Sequence, residues 1–309
     1  MIEMIEATKS YKQTKAVKGL NFHIEKGEAV GLLGPNGAGK TTAISMLASL
    51  IQTTTGQVCI NGVDVRKNLK KYRARIGVVP QDIALFPELT AEENLNFFAK
   101  IHKVSKQESK QTIARLIQDV GLEEKKKEKV ETFSGGMKRR LNLACALVHR
   151  PEYVFLDEPT VGVDPQSRRH LLDLMKTLQQ EQGMAILYTS HYMEEVEFIC
   201  DRLYVMDRGE VIASGNKEEI KQILGSGSTY EVHVQEGKEK LYELLQQEKQ
   251  IKNLVKTDDG IIVTSNRNPL FQDLMHVITE NHIRVNGVLA KESTLEDVFL
   301  HLTGRKLRD

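Results

Sequence analysis

The stretch Gly34-Pro35-Asn36-Gly37-Ala38-Gly39-Lys40-Thr41-Thr42 decides the fold. It follows an apolar run, Ala29–Leu33, that reads as a buried strand, and it precedes residues 41–50, which have helical character. Strand, glycine-rich loop and helix in that order are the context that GxxxxGK[ST] requires. Glycines let backbone N–H groups turn inward as an anion nest, and the helix N-terminus adds its positive end. Lys40 is expected to reach the β- and γ-phosphates of a nucleotide, the Thr41 hydroxyl to ligate Mg²⁺, and Thr42 to support the α-phosphate.

Outward from the loop, residues 1–35 read as short strands, including 1–8 and 20–24, and Val58 to Ile60 and Ile76–Val79 are strand-like again. Between about 90 and 150 the texture becomes charged amphipathic helix. Thr90 and Glu93 open that block as a capping box. Beyond Pro151, apolar strands at Tyr153–Leu156, 185–189 and 203–206 alternate with helices at 167–182 and 193–200. Alternation of this kind implies a parallel sheet with helical crossovers, and 90–150 is an insertion into it. Gly225-Ser226-Gly227-Ser228 reads as a flexible linker. After it the order β-α-β-β-α-β resembles a split βαβ unit, closed by a helix at 295–302.

Two more stretches carry chemistry. Tyr153–Leu156 runs into Asp157-Glu158, and a core has no use for two carboxylates there. Asp157 suits a Mg²⁺ site, and Glu158 is placed to orient and deprotonate a water attacking the γ-phosphate. Ser134-Gly135-Gly136 precedes an amphipathic helix with apolar residues at 137, 141, 144, 145 and 148. Ser134 is a natural N-cap, and the uncovered helix start is a second anion site. Since the chain already holds phosphates elsewhere, a second copy's ATP is the expected occupant. Lys138, Arg139 and Arg140 would oppose the helix dipole unless an anion is near.

Gly34 to Thr42, Gln81, Ser134-Gly135-Gly136, Asp157-Glu158, Asp164 and His191 resemble, in order and spacing, the motifs of an ABC-transporter ATPase over residues 1 to about 222. That resemblance implies an α/β fold: a P-loop NTPase (RecA-like) core, 1–222, with a helical subdomain at about 90–150. A linker, 223–228, and a small C-terminal α+β (ferredoxin-like) domain, 229–309, with an accessory or regulatory role would follow. It also implies that Tyr11 stacks on adenine with Val17 beside it, and that Gln81 senses Mg²⁺ and the attacking water. Asp164 would shape the dimer contact and His191 would hold the γ-phosphate, with ATP and Mg²⁺ as cofactors. Phe133 and Met137 depart from the commonest family residues, Leu and Gln, and Met137 costs the shared site one side-chain hydrogen bond.

Met137 with its basic followers, the run from Glu88 to Leu95, and the tail from Ser293 to Arg305 resemble ATPases of daunorubicin- and linearmycin-resistance exporters. The implied partners are a second copy of the chain and a separate ABC-2-type permease, at the cytoplasmic face of the cell membrane. An importer ATPase would carry the same motor. A soluble ribosomal or DNA-repair ATPase would need a second cassette or a long coiled-coil insertion. With 43 Lys and Arg against 42 Asp and Glu, no nucleic-acid partner held by bulk charge is expected. No run approaches the roughly 20 apolar residues of a membrane span, and no secretory signal pattern opens the chain. Cys59, Cys145 and Cys200 are odd in number and far apart, and they read as buried small hydrophobes.

Overall fold

The structure is a computed structural model describing residues 1–223, 229–248, 251–265, 270–291 and 294–303. The core of the expected linker, 224–228, and the chain end from 304 lie outside the described residues. The chain divides into two compact units, Met1–Lys217 and Glu218–Leu302.

The first unit opens on a long antiparallel hairpin, β1 (Ile2–Tyr11) and β2 (Thr14–Ile24), where shorter strands were expected. Bulges hide these strands from a simple alternation. Ile2 and Met4 are buried at period two, but the next buried residue is Ala7, because Glu6 takes a φ of 46° and shifts the register. All five residues of β3 (Ala29–Leu33) are buried. Helix α1 (Lys40–Leu47) ends sooner than the sequence suggested, since Ser49 turns the chain at a φ of 53°. β4 (Thr55–Ile60), β5 (Val63–Asp64) and the single turn α2 (Leu69–Arg73) lead to β6 (Ile76–Val79).

The helical block holds α3 (Ala91–Ile101), α4 (Lys106–Asp119) and α5 (Gly135–Leu147). Thr90 and Glu93 close the capping box as read. Leu141, Ala144 and Cys145 lie on the buried side of α5, and the buried Val148 caps its end. β7 (Tyr153–Leu156), α6 (Pro165–Gln182), β8 (Ala185–Tyr188), α7 (Met193–Ile199), β9 (Arg202–Asp207) and β10 (Glu210–Asn216) complete the unit.

Strands β2-β1-β4-β5 form an antiparallel sheet, and β10-β9-β3-β8-β7-β6 a second one, parallel except for its β10 edge. The chain enters that sheet at β3, crosses to the far edge at β6 and works back through β7 and β8. β9 is then added on the other side of β3. The carboxyl end of β3 is therefore a switch point, where open α/β sheets bind ligands. Ile2, Met4, Phe22, Leu32, Leu47, Tyr72 and Phe155 belong to one core cluster. Each such buried side chain contributes about 2 kcal/mol.

α8 (Lys217–Gln222) spans the division between the units. In the second unit β11 (Thr229–Glu236), α9 (Lys238–Gln246), β12 (Ile251–Lys256), β13 (Gly260–Ser265), α10 (Leu270–Glu280) and β14 (Arg284–Lys291) follow the β-α-β-β-α-β order. They pair antiparallel as β12-β13-β11-β14, the ferredoxin-like arrangement. Leu241, Leu245, Leu274 and Ile278 from the helices cluster with Val232, Ile261 and Val263 from the sheet. α11 (Leu295–Thr303) is the last described element. Among the described residues no helix is long and apolar enough to cross a membrane.

Candidate nucleotide site

The glycine-rich loop sits at the switch point, between β3 and α1. Gly37 and Gly39 take φ values of 80° and 106°, in the left-handed region that glycine tolerates. A Cβ at Gly39 would lie 2.6 Å from the Ala16 carbonyl and 3.4 Å from Val17 Cγ2, so β2 closes one side of the loop. Val17 is fully buried there, while Tyr11, at the end of β1, is 47% exposed with Lys9 Nζ 5.3 Å from its ring. Pro35 and Ala38 are buried, and Asn36, Gly37 and Thr41 face outward with Thr42 half-buried. The Ala38 carbonyl accepts from Gly209 N at 2.9 Å, which ties the loop to the β9–β10 turn. Lys40 is buried, and its Nζ donates to the Gly34 carbonyl at 2.6 Å and the Pro35 carbonyl at 3.2 Å. Burial pushes its pKa down, against the opposing pull of Glu158 and Asp157.

Those two acids lie at the end of β7, both buried. Asp157 N donates to the Val79 carbonyl at 2.9 Å, extending the β6–β7 pairing by one residue. Thr189 Oγ1, just past β8, donates to Asp157 Oδ1 at 2.9 Å and accepts from Glu158 N at 2.9 Å. Glu158 itself stands at a φ of 50°. Its Oε1 is 2.6 Å from His191 Nε2, and its Oε2 accepts from Gln81 Nε2 at 3.0 Å. The His191 hydrogen bond holds the Glu158 carboxyl below the usual carboxylate range against the cost of burial, and the charges of Lys40 and Arg139 add to it.

Ser134, Gly135, Gly136 and Asp164 form a second group. Ser134 caps α5 through Met137 N at 3.3 Å, and Asp164 caps α6 through Ser167 N at 2.9 Å. A Cβ at Gly136 would lie 2.7 Å from Ser167 Oγ and 2.9 Å from Asp164 Oδ2, so only glycine lets the two helix starts meet. Two of the three cations after Met137 reach carbonyls away from the helix start, while Lys138 stays beside it, 3.5 Å from the Glu131 carbonyl. Arg139 donates to the Gln81 carbonyl, and Arg140 to the Val120 carbonyl at 2.6 Å and the Gly121 carbonyl at 3.2 Å. Two buried asparagines brace the segment after Gln81: Asn142 accepts from Ala84 N at 3.3 Å and Asn94 from Phe86 N at 2.8 Å.

The fold thus joins Gln81, Asp157, Glu158 and His191 through hydrogen bonds that meet at Glu158 and Thr189, with Lys40 in the same field. Thr189 was not singled out from sequence, and Arg139 was read only as one of three cations at the start of a helix. Thr189 closes an apolar strand with a hydroxyl two residues before His191, a legible signal. Arg139 carries none, since it stands in a run of three cations.

A glycine nest with a buried lysine at a switch point, beside a strand ending in two acids, defines a P-loop nucleoside triphosphatase. The family model described as ABC transporter matches residues 17–161. The chain is 42% identical to the linearmycin resistance ATP-binding protein LnrL of Bacillus subtilis, over 100% of both chains. It is 34% identical to the daunorubicin/doxorubicin resistance ATP-binding protein DrrA of Streptomyces peucetius, covering 100% of this chain and 94% of that one. Among solved structures it is similar to the ATP-binding cassette MJ0796, a dimer bound to ADP and Pi. The TM-score is 0.64 and the identity 28%, over 70% of this chain and 98% of that one. The chain belongs to the ABC transporter family, as an ATP-hydrolysing subunit with drug-resistance relatives.

Proposed function

We propose that this subunit pairs with a second copy around two ATPs and drives export of an antibiotic, drug or lipid-like compound through a separate ABC-2-type permease. It would work at the cytoplasmic face of the cell membrane. Its similarity to two drug-resistance ATP-binding proteins supports the cargo class. The observation that carries the motor is the Glu158 carboxylate, held on one oxygen by His191 and on the other by Gln81.

In this reading the backbone from Gly34 to Gly39 and Lys40 bind the β- and γ-phosphates, and exposed Tyr11 stacks on the base; Val17, expected beside the base, is fully buried and supports the loop from behind instead. Thr41, Gln81 and Asp157 supply the hard oxygen donors that suit Mg²⁺, and a carboxylate as buried as Asp157 is consistent with a cation beside it. The ion, when bound, neutralises phosphate charge. Glu158 orients a water and takes its proton as the water oxygen bonds to the γ-phosphorus. The bond from that phosphorus to the β–γ bridging oxygen breaks, leaving ADP and inorganic phosphate. His191 holds the γ-phosphate, and Ser134, Gly135, Gly136 and Asp164 face the second copy's ATP. Exposed Phe86, Phe97 and Ile101, beside the segment after Gln81, offer the apolar surface for the permease.

Replacing Glu158 by Gln is expected to leave ATP affinity intact, lower turnover about a thousandfold and trap an ATP-bound dimer. Light scattering would read twice the 34.9 kDa of one chain. A variant that hydrolysed ATP at the parental rate would remove Glu158 from the role of base.

A further inference from the structure

Glu195, in α7, is 3% exposed and has no part in the chemistry described above. Its Oε2 accepts three hydroxyl hydrogen bonds: from Thr160 at 2.8 Å, from Tyr188 at 2.7 Å and from Ser190. Its Oε1 is 3.4 Å from Arg168 Nε, whose guanidinium lies over the Tyr192 ring at 4.1 Å. Packing does not ask for a carboxylate here. Val196 and Ile199 bury the same side of α7, and an apolar residue at 195 would continue it at lower desolvation cost.

The partners explain the choice, because the four of them come from three functional segments, Tyr188 and Ser190 sharing the one that leads from β8 to His191. Thr160 follows Glu158 by two residues. Ser190 directly precedes His191. Arg168 is in the first turn of α6, which Asp164 caps and Gly136 touches. Charge-assisted hydrogen bonds are short and directional, so the carboxylate fixes the Thr160 and Ser190 segments in a common frame, and its 3.4 Å ion pair with Arg168 adds the start of α6.

We propose that Glu195 is a positioning residue for ATP hydrolysis, joining the Glu158 loop, the His191 loop and the Asp164 helix start into one unit. The inference rests on the reading of Glu158 and His191 as the hydrolytic pair. Contact of a second copy with the Asp164–Gly136 surface is then felt at His191 without any change in the phosphate loop. Glutamine cannot replace the carboxylate, since its amide nitrogen donates where a charged acceptor faces Arg168.

The test uses the full chain and cuts one link at a time, so that the buried carboxylate stays in place. Ser190→Ala frees the His191 loop, and Thr160→Val frees the Glu158 loop at constant size. Each is expected to lower kcat about tenfold, with the ATP dissociation constant and the thermal midpoint close to parental. The double variant is expected to be no slower than the slower single one, because either cut breaks the same connection. If both singles turn over within about twofold of the parent, or if their losses multiply in the double variant, Glu195 does not couple the loops. His191→Ala separates the two levels of the claim. Parental turnover in that variant would overturn the hydrolytic role of His191 and this inference with it. A strong loss there beside intact S190A and T160V would overturn this inference alone.

Discussion

Glu158 stands at a left-handed φ of 50°, a conformation that costs a glutamate about 1 kcal/mol or more. Its backbone N–H on Thr189 and its side chain between His191 and Gln81 offset that cost, so the strain fixes the direction of the carboxylate. A different residue reports on packing. His149 stacks on His102 with ring centroids 3.6 Å apart, and its Nε2 bonds the Ile76 carbonyl at 2.9 Å. Burial, helped by the neighbouring His102, pushes its pKa down to about 4, against the opposing Ile76 hydrogen bond. Between that value and the ordinary 6.5 the unfolded chain binds the proton and the folded chain does not, so stability falls as pH falls through this window. From pH 7.5 to 5 the loss from this group is on the order of 2 kcal/mol. Denaturant melts of His149→Gln are expected to lack that part of the acid sensitivity; an unchanged pH dependence would reject the assignment. Such a position is illegible in sequence, because a histidine after an amphipathic helix does not reveal which strand it meets. Glu195 was legible in principle: an acid four residues after His191 falls on the buried side of α7, beside Val196.

The longer helices could be read by their period, and the parallel strands as short continuous apolar runs. The bulged hairpin could be read only in part. Glu6 and Gly19 take positive φ values that shift the burial phase within β1 and β2, so residues 1–8 and 20–24 read as separate short strands and the stretch between them was lost. β5, α2 and β10 were missed for another reason: they are short or half-exposed and carry little apolar pattern. Where a local motif acts through its own hydrogen bonds, the sequence is enough. Thr90 accepts from Glu93 N at 3.1 Å while Glu93 accepts from Thr90 N at 2.8 Å. Thr90→Ala is expected to cost about 1 kcal/mol of stability and to leave nucleotide affinity alone. A full-sized loss of ATP binding would mean that the cap also shapes the phosphate site.

Across the molecule, the glycine-rich loop, the acidic strand end and the alternating strands were enough to point to a candidate phosphate site, and the structure puts the glycine-rich loop at the carboxyl end of β3. The sequence could not show which segments Glu158 would gather, since Gln81 and His191 lie far from it along the chain and meet it only through the sheet order β8-β7-β6. Nor could it show that Gly136 and Asp164 touch, which gives the second group a common surface. That surface carries the central claim, that each complete site takes its phosphate loop from one copy and Ser134 to Gly136 from the other. Mixing two inactive variants, Lys40→Ala and Gly135→Glu, tests it directly. A mixed pair holds one intact loop opposite one intact Ser134 segment, so ATP turnover is expected to return to about a quarter of the parental rate. No gain on mixing, or full turnover by either variant alone, would contradict a site shared between two copies.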